Sequence, residues 1–209
     1  MTSQRTRARM VRRLAERGIG DERVLELMGN MPRHLFVDEA LASRAYEDVA
    51  LPIGYGQTIS QPYVVAKMTE TLFAGHAPER VLEVGTGSAY QSAILSQLVP
   101  RVFTVERIPE LFTQAKIRLK RFGIRNVVCG HSDGHWGWEE NAPYDGILVT
   151  AAPEDLPLAL LEQLTVGGRL VIPIGGTQEQ QLRVIHRTGG AYEEEVLESV
   201  NFVPLVEGY

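Results

Sequence analysis

The chain has 209 residues, 44% hydrophobic and 22% charged, with a formal net charge of −5; it is long enough for one well-packed domain, and its charge argues against a nucleic-acid partner held by bulk attraction. Cys129 is the only cysteine, so no intrachain disulfide can form and a cysteine-based metal site is not expected. No apolar run approaches the roughly 20 residues of a membrane span, and the start lacks the apolar core of a secretory signal, so the expectation is a cytoplasmic protein with no membrane partner.

The first 45 or so residues read as helical. Arg9–Glu16 forms one segment, Asp21 caps a second that runs through Leu27, and Arg33–Ser43 follows Pro32 as a third. Arg5, Arg7, Arg9, Arg12, Arg13 and Arg17 crowd this end. With Met10, Val11 and Leu14 on one face and no aromatic residues interleaved, they read as the solvated side of an amphipathic helix rather than an RNA-binding arm. Residues 46–62 mix Gly, Pro and polar side chains, which is loop chemistry. Tyr63–Phe73 then returns to helix, with Val64, Met68 and Leu72 on one side.

From Arg80 onward, strands and helices alternate. Arg80–Val84, Val102–Glu106, Asn126–Gly130, Asp145–Thr150 and Arg169–Pro173 are mostly short runs of Val, Ile and Leu, as strands buried on both faces should be. Helical stretches at Tyr90–Leu98, Pro109–Phe122 and Pro157–Leu164 separate them. Gln181–Arg187 and Tyr192–Phe202 flank Thr188-Gly189-Gly190, the signature of a hairpin. The pattern predicts an α/β fold: a doubly wound, mostly parallel seven-stranded sheet with a terminal antiparallel hairpin and an N-terminal helical extension. One domain over 1–209 is expected, with 1–75 carrying the helices and the loop, and 76–209 the sheet.

The first of these strands runs into Val81-Leu82-Glu83-Val84-Gly85-Thr86-Gly87-Ser88. A glycine turn at the carboxyl end of a buried strand lets a ligand approach the backbone closely. Position 90, which should be small in a dinucleotide fingerprint, is Tyr90, and this tells against a nicotinamide or flavin cofactor. Glu83, placed at the mouth of the crevice, would repel a pyrophosphate but suits the ammonium and sulfonium of S-adenosylmethionine. Glu106 ends the second strand, where an acid can bond both hydroxyls of a ribose. Asp133 and Gly134 follow the third strand; there Asp133 either accepts from an adenine amine or simply closes an Asx-turn. His131, Asp133 and His135 are not expected to hold a metal, since no further ligand is evident.

Four segments carry a resemblance that spans nearly the whole chain: Gly56-Gln57-Thr58-Ile59-Ser60-Gln61-Pro62, Met31-Pro32-Arg33-His34-Leu35-Phe36-Val37, Ala142-Pro143-Tyr144-Asp145-Gly146-Ile147 and Phe202-Val203-Pro204-Leu205. On them the sequence resembles the protein-L-isoaspartate O-methyltransferase family, within the class of S-adenosylmethionine-dependent methyltransferases. The resemblance implies Ser60 as the active-site residue. It implies Gln57, Thr58, Ile59, Ser60, Glu83, Gly85, Thr86, Gly87, Ser88, Glu106, Asp133 and Gly134 about the cofactor. It also implies Ile53, Thr58, Ser60 and Val206 about the substrate. Leu51–Gln57 and Val203–Val206, which would border the crevice, are expected to recognise the peptide. The acceptors would be damaged proteins and peptides with isoaspartyl residues, and the enzyme a monomer. Ala89 and Ser132 depart from the family, which usually has Gly at both. The rival readings are a methyltransferase for RNA or a small metabolite, an inactive adenosyl-binding scaffold, and a nicotinamide oxidoreductase.

Overall fold

The computed structural model describes residues 4–75, 77–206 and 208; residue 76, where the sequence reading divides the chain, lies outside them. Two helices open the chain, α1 (Gln4–Glu16) and α2 (Glu22–Asn30), and the Asp21 carboxylate caps α2 through the Arg23 and Val24 N–H groups. The helix expected over Arg33–Ser43 is instead two 3₁₀ turns, Arg33–Phe36 and Glu39–Arg44. Asp38 restarts the chain by capping Ala40 N at 2.9 Å, a local bond that competes with a continuous helix.

The segment expected to be loop contains a small antiparallel pair, β1 (Leu51–Gly54) and β2 (Gln57–Ile59). Tyr55 and Gly56 join them with φ of 55° and 71°, the left-handed pair that fits a tight hairpin to twisted strands. Helix α3 (Pro62–Phe73) follows.

The main sheet comprises β3 (Arg80–Val84), β4 (Arg101–Glu106), β5 (Val127–His131), β6 (Tyr144–Val149), β7 (Leu164–Ile174), β8 (Gln180–Thr188) and β9 (Ala191–Val200). Their spatial order is β5-β4-β3-β6-β7-β8-β9. Strands β3 to β7 pair in parallel, while β8 and β9 form the terminal antiparallel hairpin. This is the Rossmann-like, mostly parallel seven-stranded sheet that the alternation implies. Strand β7 begins earlier than expected, because the register slips between Tyr144 and Gly146 and admits Leu164 to the ladder.

Successive residues of a strand face opposite sides, and the sheet packs accordingly. Val81 joins a core with α1, α2, α3 and α4 (Tyr90–Leu95), whereas Leu82 and Val84 join one on the far face with α6 (Leu158–Glu162). Helix α5 (Pro109–Arg121) lies against β4 and β5. Between β3 and β6 the chain order reverses direction across the sheet, and such a switch point opens a crevice at the carboxyl ends of the strands. No helix among the described residues is long and apolar enough to cross a membrane.

Candidate active site

At that switch point β3 ends in the glycine turn. Gly85 and Thr86 donate their N–H groups to the Val105 carbonyl at 2.9 and 3.1 Å, and Gly87 donates to Glu106 Oε2 at 2.8 Å. The N–H groups that a phosphate-binding turn would aim at its ligand are therefore already committed, so the turn offers close approach rather than an anion cradle. Thr150, just past β6, donates its hydroxyl to the Gly85 carbonyl at 2.7 Å. With φ at 95°, a side chain at Gly85 would be strained and its Cβ would overlap Thr150 Oγ1. A Cβ on Gly134 would likewise overlap the Val84 side chain. Ala89 holds a left-handed φ of 67° immediately before α4, which accounts physically for glycine being the more comfortable residue there.

Two carboxylates flank the turn differently. Glu106 accepts from Gly87 N and, through Oε1, from Ile108 N at 2.9 Å, and it still lines the main cleft. Glu83 departs from the sequence reading: rather than standing at the mouth, it is fully buried beneath the turn. Its Oε2 accepts from the Ser92 and Thr104 hydroxyls, the latter at 2.7 Å, while Oε1 has no partner and the residue lines a second, adjoining cleft. Burial, reinforced by the nearby Glu106 charge, pushes its pKa up to about 7. A buried carboxylate oxygen without a donor is a place for a cationic or hydrogen-bonding ligand group.

The main cleft is lined by Gln57 and Thr58 together with Glu106, Ile108 and Gly134. The chain end closes it. Ala152 N donates to the Val203 carbonyl and Leu205 N to the Ala152 carbonyl, both at 2.8 Å, so Val203–Val206 forms a wall of this cleft. Val206 thus lines the main cleft. Ile53 instead packs over the turn, its Cδ1 3.4 Å from where a Cβ on Gly87 would lie. Asp133 is buried at the rim, where Oδ1 accepts from His135 N at 2.9 Å and Oδ2 from Gly208 N at 2.7 Å. The Asx-turn alternative is present there.

Strand β2 delivers the remaining residues. Its alternation sends Ile59 into the core and keeps Thr58 and Ser60 on one side. Thr58 lines the main cleft, the Glu83 cleft and a third cleft toward β9; Ser60 lines the last two, and Ser88 and Thr86 join them around Glu83. Helix α3 is capped at Gln61 with no side-chain bond, so the Ser60 hydroxyl is not used as a helix cap. The third cleft is bordered by Ala50, Gln61, Val64, Ser199, Asn201 and Phe202 and contains no His, Lys, Arg, Asp or Glu. Sequence reasoning missed Thr150, which lines all three clefts; a threonine at the carboxyl end of a strand beside the switch point was the available signal. No group of three His, Cys, Asp or Glu among the described residues is close enough to hold a metal ion.

The sequence profile of the family described as protein-L-isoaspartate (D-aspartate) O-methyltransferase matches residues 5–209. The chain belongs to this family. It is 62% identical over 208 residues to the protein-L-isoaspartate O-methyltransferase of Halorhodospira halophila, covering 100% of this chain and 94% of that one. It is 60% identical to the one from Hahella chejuensis, over 100% and 99% of the two chains. A solved protein-L-isoaspartate O-methyltransferase superposes with a TM-score of 0.86 at 29% identity, covering 97% of this chain and 66% of that chain. A Plasmodium falciparum structure assigned to the same family, in complex with S-adenosyl-L-homocysteine, gives 0.84 at 27% identity over 95% and 97%.

Proposed function

We propose that the chain methylates the free carboxylate of L-isoaspartyl residues in damaged proteins and peptides, with S-adenosylmethionine as donor and S-adenosylhomocysteine as product. The observation that carries the acceptor is the third cleft. It shares Thr58 and Thr150 with the main cleft beside the glycine turn and offers neutral donors without a base.

When bound, the cofactor supplies an electrophilic methyl group on a sulfonium. Gln57, Thr58, Gly85, Thr86, Gly87, Ser88, Glu106 and Gly134 would hold it, with Asp133 at the rim and Glu83 beneath. The fit is chemical: a buried carboxylate with an open oxygen suits a cation, a second acid stands at the cleft wall, and glycines let the ligand lie against β3.

An ordinary carboxylate has a pKa of roughly 4, so it is already a nucleophile at neutral pH. The site therefore needs no general base, in keeping with the residues around Ser60. Ser60, as the catalytic residue, and Thr58 would donate hydroxyls to one carboxylate oxygen while the other faces the methyl group. An anion that meets a cation loses charge at the transition state, so a dry pocket with fixed donors favours the step. Once the ester forms, the following backbone nitrogen attacks its carbonyl, methanol leaves, and hydrolysis of the succinimide returns part of the residue to aspartate. Ile53 and Val206 would border the peptide, and the chain would act as a cytoplasmic monomer built as one domain over 1–209.

The test supplies labelled S-adenosylmethionine with paired isoaspartyl and aspartyl peptides. Base-labile label on the isoaspartyl peptide alone is expected; label on neither, or equally on both, contradicts the acceptor.

A further inference from the structure

The segment Met31-Pro32-Arg33-His34-Leu35-Phe36-Val37 has no role in the chemistry above, yet it places an unusual group behind the site. Arg33 is fully buried. Its Nε donates to the Ala45 carbonyl and its Nη2 to the Ser60 carbonyl, each at 2.8 Å, while Nη1 has no partner. The guanidinium lies 4.9 Å from the centre of the Tyr90 ring. Among the described residues no carboxylate pairs with it; Asp48, whose charge it feels, is bound to Arg17 and to Tyr63 N. Burial lowers its pKa to about 10, so the cation persists at neutral pH.

A buried cation without a counter-charge is a poor way to stabilise a fold, because an apolar side chain of similar size commonly does as well. What Arg33 provides and an apolar residue cannot is a rigid fork that ties main chain to main chain. Of the residues it touches, Ser60, bonded at its carbonyl, and Tyr90, whose ring faces the guanidinium, both line the Glu83 cleft. Resting on the isoaspartyl reading above, we propose that Arg33 is a positioning residue for methyl transfer, fixing the main chain at Ser60 so that its hydroxyl faces the acceptor.

The experiment first confirms esterification of an isoaspartyl peptide by the wild-type chain; a chain that esterifies none defeats the acceptor reading, and this proposal with it. Arg33→Lys and Arg33→Gln are then compared with wild type for kcat, peptide KM, calorimetric binding of S-adenosylhomocysteine and thermal midpoint. The expected result is a loss of about tenfold or more in kcat, with binding of S-adenosylhomocysteine changed by less than about twofold. The same substitutions in a Ser60→Ala background should cost no more than about twofold, since one variant already removes what the other misplaces. Folded variants with unchanged kcat, or losses that multiply in the Ser60→Ala background, overturn the proposal. Should neither variant fold, the wild-type Arg33 Nε–H resonance decides: a shift on saturation with isoaspartyl peptide supports it, and no shift overturns it.

Discussion

The glycine turn and the β2 segment border the same cleft but are built in opposite ways. Around the turn, every arm is fixed by strand pairing or a short bond: Gly85 and Thr86 to Val105, Gly87 to Glu106, Thr150 to Gly85, Thr104 to Glu83. The β2 segment belongs to a two-stranded hairpin, leaves Thr58 exposed and Ser60 half-buried, and receives a side-chain bond from Arg33 at the Ser60 carbonyl. One half is preformed by the sheet, and the other presents hydroxyls on a small support. The contrast suggests a division of labour, in which the turn determines cofactor affinity and the hairpin determines turnover.

The largest expected effect tests the hairpin. Ser60→Ala should lower kcat on an isoaspartyl peptide by about 10²-fold, because a misplaced acceptor forfeits near-attack geometry, while leaving S-adenosylhomocysteine affinity within about twofold. Steady-state kinetics beside calorimetry checks this, and equal losses in both erase the contrast.

Gly85→Ala attacks the turn instead. A side chain there meets Thr150 Oγ1 at a φ of 95°, and strain plus overlap should destabilise the fold by about 2–4 kcal/mol. Urea unfolding measures it. A Thr150→Ala change should relieve part of the loss.

Glu83→Gln sharpens the same half through pH. Since burial raises this carboxyl from 4.5 to about 7, the native state holds its proton more tightly than the unfolded chain does. Ligand-free stability should therefore fall as pH rises from about 4.5 to about 7, by up to about 3 kcal/mol. The glutamine variant should lose that slope, gain about 1–3 kcal/mol at pH 8 without ligand, and bind S-adenosylmethionine less tightly. A variant less stable than wild type at pH 8 would count against a buried charge at this position.

The smallest effect belongs to Ala89→Gly. Relief of the left-handed φ of 67°, worth roughly 1–2 kcal/mol, is opposed by loss of a buried methyl and by a more flexible unfolded chain. Stability should change by less than about 1 kcal/mol, with cofactor affinity unaltered.

The same contrast separates what the sequence reveals from what it hides. The buried strands β3, β4 and β6 announce themselves as Val, Ile and Leu runs, and Gly189-Gly190 marks the last hairpin, because burial and turn geometry select those residues locally. Strands β1 and β2 are four and three residues long, too short for alternation to register among Gly and Pro. The helix expected over Arg33–Ser43 is broken by the Asp38 cap, a local bond that outcompetes a weak apolar period. Glu83 lies beneath the turn rather than at the crevice mouth, since spacing gives a position along a strand but not depth below the turn that follows. Thr150 and Arg33 bond to neighbours far away in the chain, Gly85 at 65 positions and Ser60 at 27, and local pattern does not reveal those partners.

The division of labour is tested most directly by a crossed comparison of Ser60→Ala with Glu106→Gln, each measured for S-adenosylhomocysteine affinity and for kcat at saturating cofactor. The predicted result is a crossing: Ser60→Ala keeps affinity and loses kcat, whereas Glu106→Gln loses affinity by about tenfold or more and keeps most of its kcat. Two variants that each lose both quantities in equal measure would contradict it.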